Sequence, residues 1–165
     1  MTRGQREKLR HDFRPSPVCM LFIGESPPAS GRFFYRRDSG LYRAMLAAFQ
    51  QADLSISEES FLDTFQASGC YLIDLCPEPV DHLPPAARRA ACRASERSLA
   101  RSIAQLQPVA IVTVVRSIEG NVLQAASRAA WRGEFLHLPY PGRWSRYRDV
   151  FVSMLAPSIH RICDK

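Results

Sequence analysis

The amino-acid sequence predicts an α/β protein, a three-layer α/β/α domain around a central four-stranded parallel sheet. Three observations predict it. Val18–Ile23, Cys70–Leu75, Val109–Val115 and Glu134–Leu138 are short apolar runs of strand length. Helix-length stretches separate successive runs, as β-α-β crossovers require, and such crossovers put helices on both faces of a parallel sheet. The run Val109–Val115 is apolar at consecutive positions, so both of its faces are suited to burial, as in a central parallel strand.

Residues 1–14 are charged and read as a polar N-terminal arm, with one domain over 15–165. Gly40–Gln51 sets Leu41, Met45, Ala48 and Phe49 on one helical stripe. Ser55 and Glu58 have capping-box spacing and would open a short helix through Phe65 that stops near Gly69. Pro84 and Pro85 suit the start of a long helix to about Gln107, which Pro108 ends. Ile118–Ala130 and Arg146–Leu155 complete the set of helices. Pro157 is expected to break or kink the chain beyond it.

The 165 residues fit one domain. No apolar run approaches the roughly 20 residues of a membrane span, and Met1–Arg14 lacks the apolar core of a signal peptide. Five scattered cysteines read as reduced thiols of a cytoplasmic protein. The net charge is +6, and Lys8 and Lys165 are the only lysines. The cationic surface is therefore arginine, whose planar fork matches phosphate. Nucleic acid is the partner this composition permits; an arginine-rich solvated surface accounts for it equally well.

Ligands of a parallel sheet bind beyond the carboxyl ends of its strands. Those ends are Gly24-Glu25-Ser26-Pro27-Pro28, Asp74-Leu75-Cys76-Pro77-Glu78, Arg116-Ser117 and Pro139-Tyr140-Pro141-Gly142-Arg143-Trp144. They are expected to meet in one cleft. Glu25, in a turn stiffened by prolines, could orient or deprotonate a water, or simply bond to neighbouring amides. Phe33-Phe34-Tyr35 between Arg32 and Arg36-Arg37 suits stacking on a flat ligand with phosphates near, one of the two phenylalanines being spent on the core.

Phe22-Ile23-Gly24-Glu25-Ser26-Pro27, then Gly31-Arg32-Phe33-Phe34 and Gly40-Leu41 at a helix start, resembles the first motif of the uracil-DNA glycosylase superfamily. The branch with Gly-Glu-Ala-Pro-Gly is the nearest. The likeness continues in order through Tyr71–Cys76, Leu106–Val115 and Leu138–Arg143. It implies a domain that flips a base out of DNA and hydrolyses its N-glycosidic bond. Under it, Glu25 and Tyr140 are catalytic, Glu25 positioning water and Tyr140 donating to the departing base. Gly24, Ser26, Phe34 and Asp74 hold the base, with Phe34 stacking. Arg32, Arg36, Arg37, Arg143, Trp144 and Arg146 take the DNA backbone, with Arg148 on the same basic rim. The implied partner is single- or double-stranded DNA, bound by a monomer away from membranes.

Three departures from that pattern alter the expected chemistry. Tyr140-Pro141 stands where the family carries His-Pro, and a phenol lends less electrostatic help than an imidazole. Asp74 replaces an asparagine and, ionised, only accepts hydrogen bonds. Pro28 replaces a glycine. Activity on plain uracil is therefore expected to be weak or absent. Cys76 and Cys92 match two of the four iron–sulfur ligands of that branch, but residues 1–17 supply no pair for the rest, so no metal or cofactor is expected. His137 reads as a packed strand residue.

Two further readings compete. One is a non-catalytic nucleic-acid or nucleotide-binding module on the same fold. The other takes Gly24-Glu25-Ser26 as a serine-hydrolase elbow, which needs a late Asp-x-x-His. Asp149 has Val152 at that spacing and His160 has Pro157, so the pattern is missing.

Overall fold

Residues 1–53, 55–142 and 144–163 are described by the computed structural model. Four strands, β1 (Met20–Gly24), β2 (Cys70–Asp74), β3 (Ala110–Thr113) and β4 (Glu134–His137), pair in the order β2-β1-β3-β4. All pairings are parallel, with Gly24 beside Asp74 at the carboxyl ends of β1 and β2. The helices are α1 (Arg3–Asp12), α2 (Gly40–Ala52), α3 (Phe61–Ala67), α4 (Pro85–Leu106), α5 (Glu119–Arg128) and α6 (Ser145–Cys163). The predicted fold class is the observed one: an all-parallel four-stranded sheet in an α/β/α arrangement.

The chain leaves β1 toward β2 in one direction, then crosses back past β1 to β3 and β4. Right-handed crossovers in opposite directions place their helices on opposite faces of the sheet. Accordingly α2 packs on α6, and α4 on α5. The reversal puts the topological switch between β1 and β3, where a crevice opens beyond the strand ends. Every residue of β1 is buried, as a strand covered on both faces must be.

β2 is an edge strand, and Tyr35 covers part of that edge. Its hydroxyl donates to the Leu72 carbonyl at 3.0 Å and accepts from the Leu72 amide at 2.8 Å. Burial lifts the Tyr35 phenol well above its ordinary pKa, so it holds its proton and bonds as a neutral group.

Three sequence expectations change. The N-terminal arm is helix α1, closed by a Thr2–Gln5 capping box and docked by arginines. Arg6 donates to the Pro77 carbonyl at 3.1 Å and to Glu78 at 2.8 Å, while Arg10 reaches Asp74 at 2.7 Å. Ser55 and Glu58 do not open α3: the Ser55 hydroxyl turns back onto Asp53 at 2.7 Å, and Ser60 precedes the helix. Pro157 does not break the helix: α6 runs past the expected end at Leu155 and holds Pro157 inside it, with Ile159 and Ile162 beyond packed in the core. Burial of that last stretch outweighs the missing amide bond. No helix among the described residues is long and apolar enough to cross a membrane.

Candidate functional site

A cavity of about 280 Å³ opens at the switch point, at the small end of the roughly 300–1,000 Å³ usual for small-molecule sites. Gly24–Pro28 line it from the end of β1, Asp74 from the end of β2 and Asp81 from beyond it, Val114 and Val115 from beyond β3, and Tyr140 from beyond β4. Phe33, Phe34, Ser39, Leu41, Leu72 and Arg88 complete the wall. Glu25, Phe34, Asp74 and Tyr140, dispersed over 116 positions from 25 to 140, thus border one space. Gly24 and Ser26 border it too. Arg116 and Ser117 do not, because the chain turns into a short 3₁₀ helix at Arg116 and leaves Val114 and Val115 at the crevice.

Glu25 is clamped. Arg88 donates through Nε to Glu25 Oε1 at 2.8 Å, and through Nη2 to Oε2. The Glu25 side chain is 11% exposed and that of Arg88 38%. The hydrogen bond to Glu25 holds Arg88 above its ordinary pKa. A carboxylate has about four acceptor sites; Arg88 takes two and the Cys92 thiol a third, on Oε1, so one lone pair remains on Oε2 for a water or ligand. Behind it, Cys92 Sγ lies 3.9 Å from Oε1 and 3.8 Å from Cys76 Sγ. Burial, then the neighbouring Cys76, push the Cys92 thiol up to about 12. The described residues contain no group of three or more His, Cys, Asp and Glu placed to hold a metal ion.

Asp74 has a different environment from the one its sequence position implied. Its Oδ2 accepts from Arg10 at 2.7 Å, and both side chains are nearly buried, 9% and 8% exposed. Burial lifts the Asp74 carboxyl above the usual range despite the pull of Arg10. Burial also works against the Arg10 charge, but Asp74 and Glu7 outweigh it and hold the guanidinium protonated. Arg10 further lies over the Phe33 ring, 5.5 Å from its centre. One acceptor of Asp74 is therefore committed to α1 before any ligand arrives.

Phe33, Phe34 and Tyr35 are all buried, each 3% exposed. The expectation that only one phenylalanine would plug the core fails, because Asp38 captures the Phe33 amide at 2.6 Å and the 3₁₀ turn Phe34–Arg36 folds the loop inward. Phe34 is wedged among Tyr35, Tyr42, Phe61 and Phe65, with ring centres 5.0 to 6.3 Å away. It serves the core and the cavity wall at once. Ser26 accepts from the Val80 amide at 3.2 Å, and Asp81 from the Ala29 amide at 3.1 and 3.2 Å. These bonds zip the loop after β1 to the loop after β2.

The arginines of the expected rim divide. Arg36 pairs with Asp38 at 3.5 Å, and Arg146 lies over Tyr147 at 4.7 Å. Arg32 and Arg148 are exposed and line a second cavity beyond Tyr140. Arg37 is exposed at a left-handed backbone position, φ 66°. Trp144 is 69% exposed and borders neither cavity. Arg143 lies outside the described residues. His137 is a strand residue bonded to Thr113 at 2.7 Å and does not reach the cavity.

Sequence reasoning does not single out Arg88, Asp81 or Arg10. Arg88 does leave a signal. A cation in the first turn of a helix opposes the helix dipole, a local misfit that calls for an acidic partner. Arg10 leaves none, because its partner is 64 residues away. No protein-family model matches the chain, and no relative is found among curated proteins.

Proposed function

We propose that the chain holds a base flipped out of DNA in the switch-point cavity and hydrolyses its N-glycosidic bond. The observation that carries this reading is the convergence of Glu25, Phe34, Asp74 and Tyr140 on one cavity at the strand ends. Phe34 and Phe33, both almost fully buried, give the cavity an aromatic wall against which a flat ligand would lie. Glu25, its orientation fixed by Arg88, accepts a hydrogen bond from a water beside the sugar. The water oxygen bonds to C1′ as the C1′–N bond breaks, and its proton passes to Glu25. Tyr140 donates its O–H to the base as the base leaves with the bonding pair. The resemblance of Gly24–Pro27 and Gly31–Phe34 to the uracil-DNA glycosylase superfamily supports the same assignment.

The test is cleavage of single-lesion oligonucleotides, single- and double-stranded, by the wild type and by Glu25→Gln and Tyr140→His. General-base assistance is worth about a hundred- to ten-thousandfold, and Glu25→Gln should lose that much while keeping DNA affinity. Tyr140→His should raise excision of uracil, because an imidazole stabilises the leaving anion better than a phenol. Equal cutting by Glu25→Gln would sink the mechanism.

One observation favours a second reading, a binding module without catalysis: both oxygens of Glu25 already serve Arg88. Under it, no lesion is cut by any of the three proteins, while oligonucleotide binding persists and weakens steeply with salt.

A further inference from the structure

Building on the base pocket proposed above, we infer that the cavity just outside it binds a phosphate of the same nucleotide, through Arg32, Arg43 and Arg148. This outer cavity measures about 490 Å³ and shares Pro28, Ser39 and Tyr140 with the inner one. A ligand filling both would pass Tyr140 on its way from base to phosphate. The three guanidinium groups come from three separate elements: the loop after β1, the first turn of α2 and the first turn of α6.

Two properties mark these three arginines. No carboxylate is among the cavity's lining residues, and none of the three side chains has a hydrogen-bond or ion-pair partner among the described residues. Arg36 and Arg146, by contrast, are already engaged. In addition, Arg43 and Arg148 each occupy the first turn of a helix, where a cation opposes the helix dipole. Both placements are unfavourable until an anion fills the space between them.

The cavity is suited to that anion. The hydroxyl-bearing Ser30 and Ser39 line it, Ser39 also capping the 13-residue α2 by accepting from the Tyr42 amide at 3.1 Å, and Gly40 adds no side chain: a Cβ there would meet only Arg43 Nη2, at 4.0 Å. Backbone amides at such a helix start favour phosphate. The phosphate could be the monoester of a free nucleotide or the diester of a strand, which share this chemistry.

Calorimetry in phosphate-free, low-salt buffer separates the possibilities. The ligands are the four deoxynucleosides, their 5′-monophosphates and the methyl esters of those monophosphates. The proteins are the wild type, Arg43→Ala, Arg148→Ala and, as a control on the exposed surface of α4, Arg101→Ala, each checked for unchanged melting. For at least one base, the monophosphate should bind about tenfold or more tighter than the nucleoside, the worth of one or two charge-assisted hydrogen bonds. That advantage should vanish in Arg43→Ala and Arg148→Ala and persist in Arg101→Ala. If the methyl esters keep it, the site takes a strand phosphodiester; if they lose it, a free nucleotide. Equal affinity for nucleoside and monophosphate, or equal loss in Arg101→Ala, overturns the inference. Phosphate binding that depends on Arg43 without any nucleoside binding keeps the phosphate site and removes the base pocket. Lesion excision is a separate assay, so its failure alone leaves this result intact.

Discussion

Glu25 and Asp74 come at the carboxyl ends of two neighbouring strands, and each meets an arginine carried by a helix. The pairs nonetheless behave differently. The Arg10–Asp74 bond is nearly buried and ties α1 to the sheet, while Asp74 also borders the cavity. Arg88 is 38% exposed, and its bond to Glu25 faces the cavity. Sealing turns a carboxylate into a structural fixture, because its charge has one partner and little water. The two carboxylates are almost equally buried, and it is the half-exposed Arg88 that leaves Glu25 oriented yet reachable from the cavity. The difference lies in which helix supplies the arginine and how deeply that helix is docked.

Removing Arg10 should break the comparison most severely. Arg10→Ala leaves Asp74 buried without its main cation, a change worth about 3–5 kcal/mol at neutral pH. The sign with pH comes from burial. Asp74 already has a raised folded-state pKa, and without Arg10 it rises further. The penalty is therefore present where Asp74 must ionise, above the raised value, and shrinks as pH falls and the carboxyl takes a proton. Urea unfolding of wild type and variant across the acid range should show the two curves converging; a pH-independent gap would mean that Asp74 is not the group left stranded.

Asp74→Asn should cost far less than Arg10→Ala at neutral pH, because burial already disfavours the ionised carboxylate and Glu7 still holds Arg10 at 2.7 Å. A loss as large as that of Arg10→Ala would show the ion pair itself to be the main tie. On the open side, Arg88→Ala should cost less than Arg10→Ala, because removing the half-exposed guanidinium lets water reach Glu25 from the cavity. Excision, where it is measured, should fall, since Glu25 loses its orientation. Unaltered excision would make the clamp dispensable. The smallest effect concerns reactivity alone. With its thiol pushed up to about 12, Cys92 should resist iodoacetamide at neutral pH in the folded protein and react on unfolding. Mass spectrometry of alkylated peptides reads this directly.

The sheet is largely legible from sequence because parallel strands buried on both faces leave continuous apolar runs. The ends of the four runs differ from the observed strands by two residues or fewer; at Val109–Val115 the ladder is Ala110–Thr113 and the apolar tail becomes cavity wall. The residues of the cavity lie at the strand ends, so Glu25, Asp74 and Tyr140 can be named together. Helix α1 escapes such reasoning because its buried side chains are the arginines Arg6 and Arg10, so hydropathy reports it as solvent-facing. Its Thr2–Gln5 capping box is visible but carries no apolar stripe to support it. The partners of Glu25 and Asp74 are hidden for a related reason. An ion pair between residues 63 or 64 positions apart leaves no periodicity, and only the fold brings its members together.

The crowding between Gly24 and Asp74 carries a consequence for how this chain can change over generations. A methyl group at position 24 would come within 2.8 Å of Asp74 Oδ1. That oxygen belongs to a short side chain whose other oxygen is tethered to Arg10, so it has little room to rotate away. Gly24→Ala would thus strain a bond whose far end is the N-terminal helix. Among descendants, a larger residue at 24 should arise only alongside a smaller one at 74, and a smaller residue at 74 releases position 10 from being arginine. On this geometry the three positions should be inherited as a unit, and an alignment of close descendants should show them drifting together or not at all.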